Sequence, residues 1–141
     1  MLGSTHLLFS LFFGSFLFAY LHPSTLAAKV VFAALLLMGT FMPDLDLYVK
    51  FLKHRGIFHT IWPVIIIVII NFIVTKFSFI SIAALALGYG SHLFVDMLTP
   101  FGIAPIYPLD SRRIRGPIKA GSTAEFAIAA ILVALLLIRS I

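Results

Sequence analysis

The chain has no cysteine, which excludes disulfides and thiolate metal sites. It is also short of charge. Only 11% of its 141 residues are Asp, Glu, Lys or Arg, against roughly a quarter in soluble globular domains. A water-soluble fold of this length needs a polar surface that so few charges cannot supply. The apolar runs lack strand-like alternation, and no internal repeat, low-complexity tract or linker divides the chain, so residues 1–141 read as a single domain. No Lys or Arg precedes the first apolar stretch, and no small-x-small site closes it at Phe18-Ala19-Tyr20-Leu21. It is therefore expected to be a retained helix rather than a signal peptide.

What the chain does have is apolar residues, 62% of the total, gathered in blocks. The blocks cover residues 7–21, 26–42, 57–75, 77–98 and 123–138. Each is near the ~17–25 residues that a tilted helix uses to cross hydrocarbon. Lipid offers backbone N–H and C=O groups no partner, so a crossing segment must satisfy them within itself. The sequence thus predicts an all-α integral membrane protein, a bundle of about five transmembrane helices.

His22-Pro23-Ser24 and Lys76-Phe77-Ser78 make tight connections on one side; residues 43–56 and the Pro/Gly-rich 99–121 lie on the other. That second side carries Lys50, Lys53, Arg55, Arg112, Arg113, Arg115 and Lys119, against Lys29, Lys76 and Arg139 opposite. The positive-inside rule then predicts a multi-pass cell-membrane protein whose N-terminus and longer loops face the cytoplasm. In so apolar a chain the net charge of +5 suits anionic headgroups or a phosphate-bearing substrate, and not nucleic acid. Five short helices bury little interior, which also suits a homodimer.

On this topology the acids and histidines collect at one membrane face. His6 opens the first span, Asp44 and Asp46 end the second, His54 and His59 bracket the start of the third, His92 and Asp96 lie in the last turns of the fourth, and Glu125 opens the fifth. A solvated loop accounts for Asp46 and His54, as it does for Asp110. It accounts poorly for His59, His92 and Asp96, which sit in or beside apolar runs where ionisable groups are costly and point to function. His92 and Asp96 are spaced i, i+4, so one helix face presents both. That suits two ligands of one cation, or a ligand and its orienting carboxylate. Arg55-Gly56 between the two loop histidines provides a turn. Ser122-Thr123-Ala124-Glu125 also reads as a capping box, so Glu125 is equally a cap. One or two arginines of Ser111-Arg112-Arg113-Ile114-Arg115 could clamp a phosphate.

Taken in order, His6, Pro43-Asp44-Leu45-Asp46, His54-Arg55-Gly56-Ile57-Phe58-His59-Thr60 and Gly88-Tyr89-Gly90-Ser91-His92 through Asp96-Met97-Leu98-Thr99-Pro100-Phe101-Gly102 resemble the membrane-bound metal-dependent hydrolases. This is the inner-membrane-associated family of which some members are labelled LexA-binding. The resemblance covers nearly the whole chain. It implies one or two divalent ions, zinc first with manganese or magnesium as alternatives. The ligands or their orienting partners would be His6, Asp44, Asp46, His54, His59, His92 and Asp96, with Glu125 as ligand or base. Arg55 and Arg112 or Arg113 would offset charge on a phosphoester held in or near the headgroup region. A metal or ion transporter, or a non-catalytic scaffold with a structural metal, are the competing expectations. A transport site usually lies near mid-membrane at broken helices, which the sequence lacks.

Overall fold

The computed structural model describes residues 1–47, 55–75 and 79–140. They form five α-helices: α1 (Gly3–Leu21), α2 (Leu26–Phe41), α3 (Trp62–Thr75), α4 (Phe79–Met97) and α5 (Thr123–Ser140). Short 3-10 turns at Met42–Leu47 and Ile57–His59 precede α3. The described residues contain no strand, only an antiparallel bridge between Ile103 and Ile114 that closes the loop before α5.

Local chemistry sets the boundaries. His22 in the left-handed region (φ 46) ends α1, and Pro23 follows it. The Thr25 side chain accepts the Ala28 amide at 3.1 Å and caps α2. Pro63 lies in the first turn of α3, the one place where a helix tolerates its missing N–H.

α4 is the central helix. It packs mainly on α2 and next on α1. Its buried residues Ser81, Ala84, Leu85, Gly88, Tyr89, His92, Val95 and Asp96 recur at three- and four-residue steps, which is one stripe of a helix. Close approach of α2 and α4 is set by two glycines. A Cβ on Gly39 would strike the Leu85 carbonyl, and one on Gly88 would strike the Leu36 carbonyl. Small residues that let backbones approach are the usual basis of helix packing in lipid, where apolar burial gives little drive. The outward faces stay apolar: Val30, Ile66, Ile73 and Leu137 are exposed, as on a surface solvated by lipid tails.

By length and composition three segments can cross a membrane: α1, α2 with its 3-10 extension (Leu26–Leu47), and α4. The third expected span, 57–75, is helical only from Trp62. Residues Ile57–His59 turn instead, and Thr60 is extended. The 14 described residues of α3 measure about 21 Å at ~1.5 Å each, against a hydrocarbon core of ~30 Å, and residues 76–78 lie outside the described residues. The five expected runs are five helices, and three of them have spanning dimensions.

Candidate metal centre

Four separate segments bring His6, Asp44, Asp46, His59, His92 and Asp96 together at one end of the bundle. The i, i+4 pair on α4 is the base of the cluster: His92 Nε2 lies 3.6 Å from Asp96 Oδ2. His59, delivered by the Ile57–His59 turn, places Nε2 3.2 Å from the same oxygen. Asp44, from the turn that ends α2, puts Oδ1 3.6 Å from His92 Nε2 and 3.8 Å from His59 Nε2. His6 on α1 approaches the other Asp96 oxygen at 3.4 Å. All but Asp44 are buried, and Asp44, 31% exposed, is the side on which the cluster opens.

Backbone carbonyls fix which ring nitrogens face inward. His92 Nδ1 lies 2.7 Å from the Thr40 carbonyl and His6 Nδ1 lies 3.0 Å from the Leu2 carbonyl. A carbonyl only accepts, so each Nδ1 carries a proton, and Nε2 is the ring nitrogen turned toward the cluster. Both Nε2 atoms are buried with no hydrogen-bond partner. A buried polar atom in that state costs ~1–3 kcal/mol unless something binds it. A tetrahedral zinc site with ligands at ~2.0–2.1 Å spaces its ligand atoms roughly 3.3 Å apart. The four separations of Asp44 Oδ1 and Asp96 Oδ2 from His59 Nε2 and His92 Nε2 run from 3.2 to 3.8 Å. The donor set and its spacing fit a divalent ion. Two overlapping triads, His6-His92-Asp96 and Asp44-His59-His92, share His92.

Other residues hold these side chains in place. Asp46 Oδ2 lies 3.1 Å from His59 Nδ1, on the ring edge away from the cluster centre, and accepts the Arg55 amide at 2.9 Å. Asp46 therefore orients His59, as carboxylates commonly do for ligating imidazoles. The turn that makes this contact puts Arg55 itself in the left-handed region (φ 57), while Gly56 has φ −89 and ψ −133. The Arg55 side chain donates to Asp96 Oδ1 at 2.6 Å and to Thr99 Oγ1 at 2.9 Å. That leaves Asp96 Oδ2 to His59 and His92. Tyr89 donates to the Phe58 carbonyl and ties the His59 turn to α4.

Glu125 is not part of this convergence. Its buried carboxylate accepts from Leu2 N (2.7 Å), Thr5 Oγ1 (2.7 Å) and Gly121 N (2.6 Å). Ser122 Oγ accepts the Glu125 amide at 3.3 Å, the first half of a capping box. The second half goes elsewhere: the carboxylate clasps the start of α1 to the start of α5. Glu125 thereby positions His6 without facing the donor atoms, and the base role expected for it finds no geometric support.

The two arginines considered as alternatives behave differently. Arg112 is 91% exposed at its side chain and pairs with Asp110 through Nε at 2.9 Å. Arg113 turns inward over the Phe101 ring (4.9 Å), which also carries Arg55 (5.1 Å). His54 lies outside the described residues. Thr40, Thr99, Phe101 and the Leu2 carbonyl were not singled out from sequence. Their contributions are two backbone carbonyls, the Thr99 hydroxyl and the Phe101 ring, which carry no signal of a metal site in their residue types.

No curated protein and no solved structure matches the chain. A family model does, over residues 1–141. The chain belongs to the YdjM inner membrane protein family.

Proposed function

We propose that this membrane protein is a divalent-metal-dependent hydrolase of phosphoesters in or near the lipid headgroup region, with its site facing the cytoplasm. The observation that supports this most is that Asp44 Oδ1 and Asp96 Oδ2 each lie 3.2–3.8 Å from both His59 Nε2 and His92 Nε2, with the Nε2 atoms of His6 and His92 buried and without a hydrogen-bond partner. These four would hold the ion, with His6 Nε2 adjacent. His92 presents one lone pair to both triads, so it serves one ion, and zinc suits a nitrogen and carboxylate set of this kind. When bound, such an ion polarises a phosphoryl oxygen and lowers the pKa of water toward ~7.

The chain's own residues do the rest. Arg55 neutralises Asp96 Oδ1, the oxygen that faces His6 rather than His59 and His92. Asp46 fixes the His59 ring and the Arg55 backbone together. The opening beside Asp44 admits substrate and water, while the α1 and α4 side of the cluster excludes them. A metal centre at the end of a helix bundle meets headgroups, where the bilayer itself concentrates a lipid-borne ester.

The test is hydrolysis of phospholipids, read as the phosphomonoester and alcohol that a diester yields, and of polyprenyl phosphates, read as free phosphate, by purified protein in the presence of zinc or manganese. Wild type is expected to release these products and His59→Ala to lose that activity. Release unchanged by His59→Ala would refute the placement of the chemistry.

A further inference from the structure

Beside the metal cluster lies a cavity of about 320 Å³ whose lining includes Arg55, Ile57, Phe58, Tyr107, Ser111 and Arg113. Its two cations are not equivalent. Arg55 is already paired with Asp96. Arg113 has no carboxylate within ion-pair distance among the described residues. Its contacts are two 3.4 Å bonds to the Phe101 and Gly102 carbonyls and the Phe101 ring. A guanidinium has five N–H donors, so most of those on Arg113 remain available. The cavity therefore holds one uncompensated positive charge on a planar, phosphate-matching fork.

Its surroundings are apolar and exposed. Ile57 (50% exposed) lines the cavity, and Phe101 (57%), over whose ring both arginines lie, belongs with Leu109 (78%) and Ile114 (50%) to the loop that supplies Tyr107, Ser111 and Arg113. A soluble anion gains nothing from such a rim. A phosphate carried on acyl chains does, because its glycerol and upper methylenes lie against it.

The geometry points to this cavity as the subsite for the phosphate of a membrane-lipid phosphodiester, bound as a monoanion by Arg113 with Ser111 and Tyr107 alongside. One charge matches a diester, whereas a phosphate monoester carries about 1.5–2 charges near neutral pH. As a substrate subsite this rests on the hydrolase reading above; as a phosphodiester-binding site it does not.

Trp62 is the only tryptophan in the chain. Its Nε1 donates to the Tyr107 carbonyl at 2.8 Å, so its fluorescence reports on the cavity wall. The experiment titrates detergent-purified protein with dihexanoyl phosphatidylglycerol, with its deacylated glycerophosphodiester, and with inorganic phosphate. Each titration is run once with EDTA and once with zinc. The expected result is a saturable Trp62 signal for the short-chain lipid without metal, weaker binding of the deacylated diester, and weakest binding of inorganic phosphate. Arg113→Gln keeps a donor for the loop carbonyls and should weaken the lipid at least tenfold with unchanged melting temperature. Lys119→Ala removes an exposed charge from the same loop and should leave binding within twofold. Equal affinity for inorganic phosphate would overturn the lipid assignment, and binding insensitive to Arg113→Gln would overturn the site. Zinc binding with no lipid signal would sink this inference alone. An Arg113-dependent lipid signal with no zinc binding would sink the hydrolase reading alone.

Discussion

Replacing Glu125 with glutamine separates a structural clasp from a catalytic base. The wild-type carboxylate receives three donors: the Leu2 amide, the Thr5 hydroxyl and the Gly121 amide. Glutamine keeps the shape and one acceptor oxygen, which can go on serving Leu2 and Thr5. Its NH2 group then faces the Gly121 N–H, donor against donor. A buried donor left unsatisfied costs ~1–3 kcal/mol, and the remaining bonds lose their charge assistance, about half their strength. Together these give a destabilisation of roughly 2–4 kcal/mol for Glu125→Gln, and Glu125→Ala should exceed it. The assay is thermal unfolding in detergent, with metal content measured on the same samples. Glu125→Gln should melt well below wild type and still bind metal, because its oxygens do not face the histidine donors. A variant that melts like wild type yet has lost hydrolysis would refute the clasp and restore the base.

Asp46→Asn should keep metal stoichiometry but weaken affinity by about 10–100-fold, the usual cost of losing an orienting carboxylate; competition against a zinc-sensitive dye measures it, and unchanged affinity would contradict the role given to Asp46. Gly88→Ala drives a methyl onto the Leu36 carbonyl and should lower stability by at least ~1–3 kcal/mol through overpacking. Gly90→Ala meets nothing within 4 Å and should be neutral or stabilising by up to ~1 kcal/mol, as alanine replaces glycine in a helix. Equal melting of the two variants would contradict the close packing of α2 on α4.

Much of this was legible because helices convert sequence spacing into direction. The four-residue step from His92 to Asp96 follows from helical periodicity. Convergence of His6, Asp44, His59 and His92 follows from apolar runs that alternate direction. What periodicity does not carry is the direction of side chains in turns. Asp44 and Asp46 are two residues apart, yet one faces the cluster centre and the other the outer edge of His59. That outcome is set by the 3-10 turn at Met42–Leu47 and by the left-handed Arg55. Arg112 and Arg113 are adjacent and chemically identical. The Ile103–Ile114 bridge turns one inward and leaves the other in solvent. Glu125 carried two readings because a capping box and a metal ligand use the same residue type at the same place. Only the position of Leu2 and Thr5, more than a hundred residues earlier in the chain, separates them. The short third helix reflects Pro63, which fixes the start at Trp62 although the apolar run begins before it.

The central claim is that buried imidazole nitrogens and carboxylates at one end of the bundle hold a metal ion. Metal analysis of purified wild type, His92→Ala and Asp96→Ala proteins tests it most directly. The account predicts about one equivalent of zinc or a similar divalent ion in wild type, since the shared His92 lone pair serves a single ion, and loss of that ion in both variants. Wild-type protein without bound transition metal, and with no gain in melting temperature on adding zinc or manganese, would contradict it.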